Sequence, residues 1–235
     1  MRHVRLFSLL AAVAAFPPTP ATAADTVCPA SSMQFFYCSG LTRAAQYDST
    51  CGAPGLSGTV RVHFDLAQKT LGMDATTIPF FSPSGSMRVA DIYRLVGGAT
   101  STPVTFNIRM PVTAALYVPS FESNSQAAAG ASLEVDGVVV AQASESYACS
   151  FGNCTTTGSL SAPLLAQVTI PVGQDFVMVA GLTASVQISG GGGYARPEAN
   201  FQFEGLPLGT SVVSCHDGLT PALRSTWGDL KLRYR

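Results

Sequence analysis

Residues 59–66, TVRVHFDL, put Val60, Val62, Phe64 and Leu66 on one side of an extended chain and Thr59, Arg61, His63 and Asp65 on the other. Strict alternation of this kind is the mark of a strand with one dry and one wet face. It recurs in VTFNIRM at 104–110, where Val104, Phe106, Ile108 and Met110 alternate with Thr105, Asn107 and Arg109, in LTASVQIS at 182–189, and in FQFE at 201–204. Sheets with a wet face are antiparallel more often than parallel. Further strands are predicted at 34–39, 90–97, 114–118, 131–144, 164–172 and 175–180, and Gly, Pro, Ser or Asn marks nearly every junction. The alanine-rich stretch 127–131 is interrupted by Gly130 and has neither a cap nor a long apolar stripe, so no helix is predicted there. Nine or ten short-spaced strands point to an all-β fold, an antiparallel β-sandwich of jelly-roll or related type.

The ends of the chain are organised differently. Residues 1–23 carry Arg2 and Arg5, an apolar run from Leu6 to Phe16, prolines, and the small residues Ala21 and Ala23 at cleavage-site spacing. This is the layout of a cleaved signal peptide, and the run is too short to span a bilayer. The expected localisation is therefore secreted, extracellular or at the cell surface. Four regions follow: the signal peptide at 1–23, a cysteine-rich segment at 24–57 read as a disulfide-tied flap with one strand, the sandwich at 58–217, and a linker with a basic tail at 218–235. Without Arg2 and Arg5 the 13 basic residues fall to 11, against 14 acidic ones, spread singly. That balance gives no nucleic-acid-binding stripe, and no later stretch is apolar enough for a transmembrane helix.

All six cysteines, Cys28, Cys38, Cys51, Cys149, Cys154 and Cys215, follow the signal peptide, and an even number in an exported chain favours three disulfides. Cys149 and Cys154 can close a small turn, which leaves Cys215 to reach back to one of the three N-terminal cysteines. Such a bridge encloses most of the domain. No C-x-x-C pair supports a metal site.

No reactive constellation is legible, so no enzyme, cofactor or metal is expected. His63 sits on a polar strand face and His216 in a turn, and both read as solvated. The acids Asp91, Glu122, Glu134, Glu145 and Asp175 are scattered and read as solvated loops and strand faces. No G-x-S-x-G elbow is present. A hydrolase would require His63 or His216 beside two carboxylates. Carbohydrate recognition would use exposed aromatics, for which Tyr117, Tyr194, Trp227 and Tyr234 are candidates, together with the polar face of Arg61, His63 and Asp65.

The last ten residues, TWGDLKLRYR, alternate Leu230, Leu232 and Tyr234 with Lys231, Arg233 and Arg235. They fit a strand with one apolar and one cationic face, or a detachable address. With this ending, and with DIYRLVG and the run from VTIPVGQDF to LPLGTSVVSC, the chain resembles exported bacterial β-sandwich proteins of unknown function, similar to those with PEP-CTERM or other choice-of-anchor sorting tails. The resemblance covers about 90–217 and the terminus. Its motifs describe β architecture, and the family supplies no catalytic residues. The Pro-Glu-Pro signal, hydrophobic helix and arginine cluster of a PEP-CTERM tail are missing from this sequence. The W-G-x-L-K-x-x-Y-R ending instead resembles a different terminal motif, which implies sorting or attachment through Trp227, Gly228, Leu230, Lys231, Tyr234 and Arg235. The expected role is a structural or cell-surface protein, with carbohydrate binding as the alternative and a hydrolase as the least favoured. A surface glycan or protein is the expected partner.

Overall fold

The computed structural model describes residues 28–35, 39–52, 58–77, 82–118, 125–149, 157–188 and 192–216. The signal peptide, Cys38, Cys154, Glu122, Asp217 and the whole tail from 218 lie outside the described residues.

Fourteen strands run in chain order as β1 (Ser31–Phe35), β2 (Ser39–Thr42), β3 (Gln46–Gly52), β4 (Gly58–Asp65), β5 (Thr70–Thr77), β6 (Ser84–Val96) and β7 (Pro103–Tyr117). They continue as β8 (Ser125–Val135), β9 (Val138–Cys149), β10 (Thr157–Pro171), β11 (Asp175–Gln187), β12 (Gly193–Asn200), β13 (Gln202–Glu204) and β14 (Ser211–Ser214). They form two antiparallel seven-stranded sheets. The first is ordered β2-β1-β6-β11-β8-β9 with β14 also on β6, and the second β10-β7-β12-β5-β4-β3 with β13 also on β7. From β5 onward the chain switches repeatedly between sheets, so neighbours within a sheet are mostly distant in sequence.

The alternating residues fill the space between the sheets. Val60, Val62, Phe64 and Leu66 are buried, as are Val104, Phe106, Ile108 and Met110, while Arg61 and Arg109 face solvent. An aromatic cluster packs at the core, in which Tyr93, Phe106, Phe176, Phe201 and Phe203 meet at ring-centroid distances of 5.1–6.4 Å. Offset and edge-on contacts of this kind add to the area term.

Several strands are longer than their sequence pattern indicates. Residues 104–110 and 114–118 form the single strand β7, which runs through Pro111. That proline pairs across β10 with Pro163 and lies between the registers of β12 and β13, where no ladder donor is demanded of it. Residues 175–180 and 182–187 likewise merge into β11 across Gly181. The register of β12 on β5 breaks between Ala195 and Glu198, where Pro197 has no N–H to give. Asp136 (φ 49°) and Gly137 (φ 80°) form the two-residue hairpin turn that joins β8 to β9.

The cysteine-rich segment departs most from expectation. Instead of a flap with one strand, residues 31–52 supply three strands, β1 and β2 to one sheet and β3 to the other. Short, hydroxyl-rich strands with few fully buried side chains carry little apolar alternation to read. Among the described residues no helix is long and apolar enough to cross a membrane.

Candidate functional site

Strand β6 directs Met87, Val89, Asp91, Tyr93 and Leu95 inward. Asp91 is thus a carboxyl group in an otherwise apolar row, with 1% of its surface exposed. Its surroundings follow from an unusual feature of the pairing. β1 lies along β6 from Gly85 to Arg88, and β14 lies along the same side from Tyr93 to Val96, so 89–92 fall in the gap between them. Polar groups in or flanking β1 and β14 fill that gap. The Ser31 hydroxyl accepts from the Ala90 N–H at 3.2 Å, and the Cys215 N–H donates to the Ile92 carbonyl at 2.8 Å.

Cys28, just before β1, and Cys215, just after β14, are joined by a disulfide. The bridge to an N-terminal cysteine expected for Cys215 is therefore present, with Cys28 as the partner. Cys51 and Cys149 are each disulfide-bonded as well, to partners outside the described residues. The proposed Cys149–Cys154 turn involves a residue outside the described ones.

Asp91 holds this junction together. The Ser214 hydroxyl donates to its Oδ2 at 2.5 Å, the Ile92 N–H donates to its Oδ1 at 2.8 Å, and the His216 N–H donates in turn to Ser214 Oγ at 2.9 Å. His216 Nε2 lies 3.9 Å from Oδ1, and Cys215 Sγ lies 2.8 Å from the same oxygen. Burial pushes the Asp91 carboxyl above the ordinary aspartate range, and hydrogen bonding from Ser214, the charge of His216, the Tyr93 hydroxyl and the Ile92 amide pull it back down.

The solvated readings of Asp91 and His216 are thereby corrected. Asp91 is buried, and the His216 side chain is only 14% exposed. Asp91 precedes the apolar IYRLV in phase with Tyr93 and Leu95, and this in-phase position was the available signal that its side chain points inward. A hydrolytic reading needs a second carboxylate beside the histidine, and among the described residues the group around His216 contains one, Asp91.

The other acids are placed separately. Glu134, at 8% exposure, accepts from Arg88 at 2.7 Å, so it too is buried rather than solvated. Asp175 forms a two-point pair with Arg94 across β11 and β6, at 2.5 and 2.8 Å. Glu145 lies on β9, and Glu122 is outside the described residues.

Two surfaces bear on carbohydrate recognition. On the outer face of the β3-β4-β5 side, Arg61 is paired with Asp48, Asp65 accepts from Gln46 at 2.5 Å, and the His63 ring lies over Gly72 with Nδ1 buried and without a hydrogen-bond partner. The Arg61 guanidinium holds the Asp48 carboxyl below its usual range. Farther along, Tyr117 and Tyr194 stack on each other at 5.4 Å, and Arg196 covers Tyr194 at 4.4 Å. Trp227 and Tyr234 lie outside the described residues.

The outer face of the other sheet holds a groove of about 720 Å³. Register explains it. One row crosses five strands as Gln34, Ser86, Thr183, Gly130 and Ser144, and the next as Ser84, Ser185, Ala128 and Ser146. Small side chains in the middle strands leave a trough lined by hydroxyl and amide groups together with Glu145. A Cβ on Gly130 would stand 2.6 Å from the Thr183 hydroxyl, which would have to turn away to admit it.

No family model matches the chain, and no curated protein matches it.

Proposed function

We propose that this chain is an exported, disulfide-closed β-sandwich that serves as a structural or binding component of the cell surface or extracellular matrix, and that it acts by holding and contacting rather than by turning over a substrate. The observation that carries this reading is the Cys28–Cys215 bond, which joins positions 187 residues apart around a fully packed two-sheet interior. Disulfides of this kind persist in oxidising compartments. The signal-like residues 1–23 and the resemblance to exported bacterial sandwiches with choice-of-anchor-type tails agree with it.

The test is expression with and without residues 1–23, followed by fractionation and thiol trapping. Export-dependent recovery outside the cytoplasm, with no trappable thiol, is the expected result. Cytoplasmic retention with six reactive thiols would refute the proposal. Deleting 226–235 separates the two roles of the tail: a sorting or attachment signal changes where the protein is found, whereas a strand lowers its melting temperature.

The groove favours a second reading, binding of a neutral, hydroxyl-rich ligand such as a surface glycan. Its lining offers paired donors and acceptors of the kind that recognise sugar hydroxyls. A glycan array with the wild type and Thr183→Trp, which fills the trough, decides it. A hit abolished by the substitution supports the reading, and no hit discards it.

A further inference from the structure

We propose that the junction of β1 and β14 is a metal site in waiting: when the Cys28–Cys215 disulfide is reduced, Cys28, Cys215, Asp91 and His216 bind a divalent cation of the zinc class. The argument rests on position and donor chemistry. One ligand atom from each of the four residues lies within 4.8 Å of every other. A tetrahedral zinc site with metal–ligand bonds of about 2.0–2.3 Å places its ligands about 3.3–3.8 Å apart, so shifts on the order of 1 Å convert one arrangement into the other. Two thiolates, an imidazole and a carboxylate form a set suited to zinc or cobalt, and too soft for magnesium or calcium.

The supporting shell is already built. Ser214 holds Asp91 Oδ2 at 2.5 Å and leaves Oδ1 facing both His216 Nε2 and Cys215 Sγ. The Ile92 N–H fixes the same carboxyl from the backbone, and the His216 N–H ties that residue to Ser214. Hydrogen-bonded supports of this type orient metal ligands. Cys28, Cys215 and His216 are each partly exposed, which provides an entry path, whereas Asp91 is buried.

The chemistry balances. A dithiol donates two electrons and two protons, the Cys28–Cys215 S–S bond breaks to two thiols, and the dithiol closes to its own disulfide. Metal binding then forms two metal–sulfur bonds and releases both thiol protons to water. Metal and disulfide exclude each other, so occupancy reports whether the two cysteines are oxidised.

Anaerobic titration of the purified, phosphine-reduced chain with Co²⁺ tests this, with far-UV circular dichroism recorded in parallel. Expected are one equivalent of cobalt with tetrahedral ligand-field bands and thiolate charge transfer, displacement by Zn²⁺, loss of the signal in Cys28→Ser/Cys215→Ser, and at least tenfold weaker binding in Asp91→Ala and in His216→Ala. Each variant keeps Cys38, Cys51, Cys149 and Cys154, and the oxidised Asp91 and His216 variants are first checked for sheet content. If reduction unfolds the chain, cobalt-driven return of the sheet signal in wild type but not in the double serine variant supports the site. No cobalt spectrum in the reduced wild type overturns the proposal. So does an unchanged spectrum in the double serine variant, or unchanged affinity in the Asp91 and His216 variants.

Discussion

Cys28 and Cys215 stand with Cα atoms 5.9 Å apart although 187 positions separate them in the chain. Their bond joins the start of β1 to the end of β14, two short strands that together line one side of β6. The disulfide therefore acts as a splice between two halves of one composite strand, and Asp91 is buried beneath it.

Removing the splice costs the loop-closure term. For a loop of this size the chain-entropy model gives about 5 kcal/mol. Urea unfolding of Cys28→Ser/Cys215→Ser is expected to show a loss of that order, with cooperative melting of the remaining sheets. A midpoint equal to that of wild type would mean that the bond contributes nothing.

The Asp91 carboxyl sets a pH dependence. Its folded pKa is raised by burial above the unfolded value, so the folded chain keeps a proton that the unfolded chain has already lost. The sign follows: stability falls as pH rises from about 4 toward the folded pKa and is level above it. One proton gives a slope of at most about 1.4 kcal/mol per pH unit. In Asp91→Asn this component is absent, and the difference between the two stability profiles isolates it. Parallel profiles would show that Asp91 ionises normally.

Phe176 and Leu165 offer a contrast within one class of residue. Phe176 is 1% exposed and touches Tyr93, Phe106 and Phe203, so Phe176→Ala is expected to cost about 3–5 kcal/mol. Leu165 points outward from β10 at 58% exposure, and Leu165→Ser is expected to change stability by no more than about 0.5 kcal/mol. Thermal melts of both variants check the assigned faces of β10 and β11.

Gly72 and His63 form a coupled pair across β4 and β5. A Cβ on Gly72 would run into the His63 ring, so Gly72→Ala is expected to cost about 1–3 kcal/mol. In a His63→Ala background the obstacle is gone and the same change should be nearly neutral. A double-mutant cycle without coupling would place the ring elsewhere.

The architecture was legible because alternation has a single cause, burial of one face, and Val60, Val62, Phe64 and Leu66 obey it without exception. Lengths were less legible. Pro111 and Gly181 read locally as breaks, yet each is tolerated in a long strand by what lies beside it in space, which no window of sequence contains. The segment at 31–52 hid three strands because they are short and few of their side chains are fully buried. The junction around Asp91 was the least legible. Its carboxyl sat in phase with Tyr93 and Leu95, but the residues that make it more than a buried acid arrive from positions 28 and 214–216. The trough on the opposite face shares that difficulty, since Gln34, Ser86, Thr183, Gly130 and Ser144 become a row only once four registers are set.

The composite strand beside β6 also orders events in time. A chain emerging N-terminus first can lay β1 against one half of β6, but the other half stays an open edge until residues 211–214 arrive. Open edges invite pairing with other chains, and contacts of such long range form slowly. The interval between the appearance of β6 and the arrival of β14 is thus the period in which a nascent copy is most vulnerable to sticking to its neighbours.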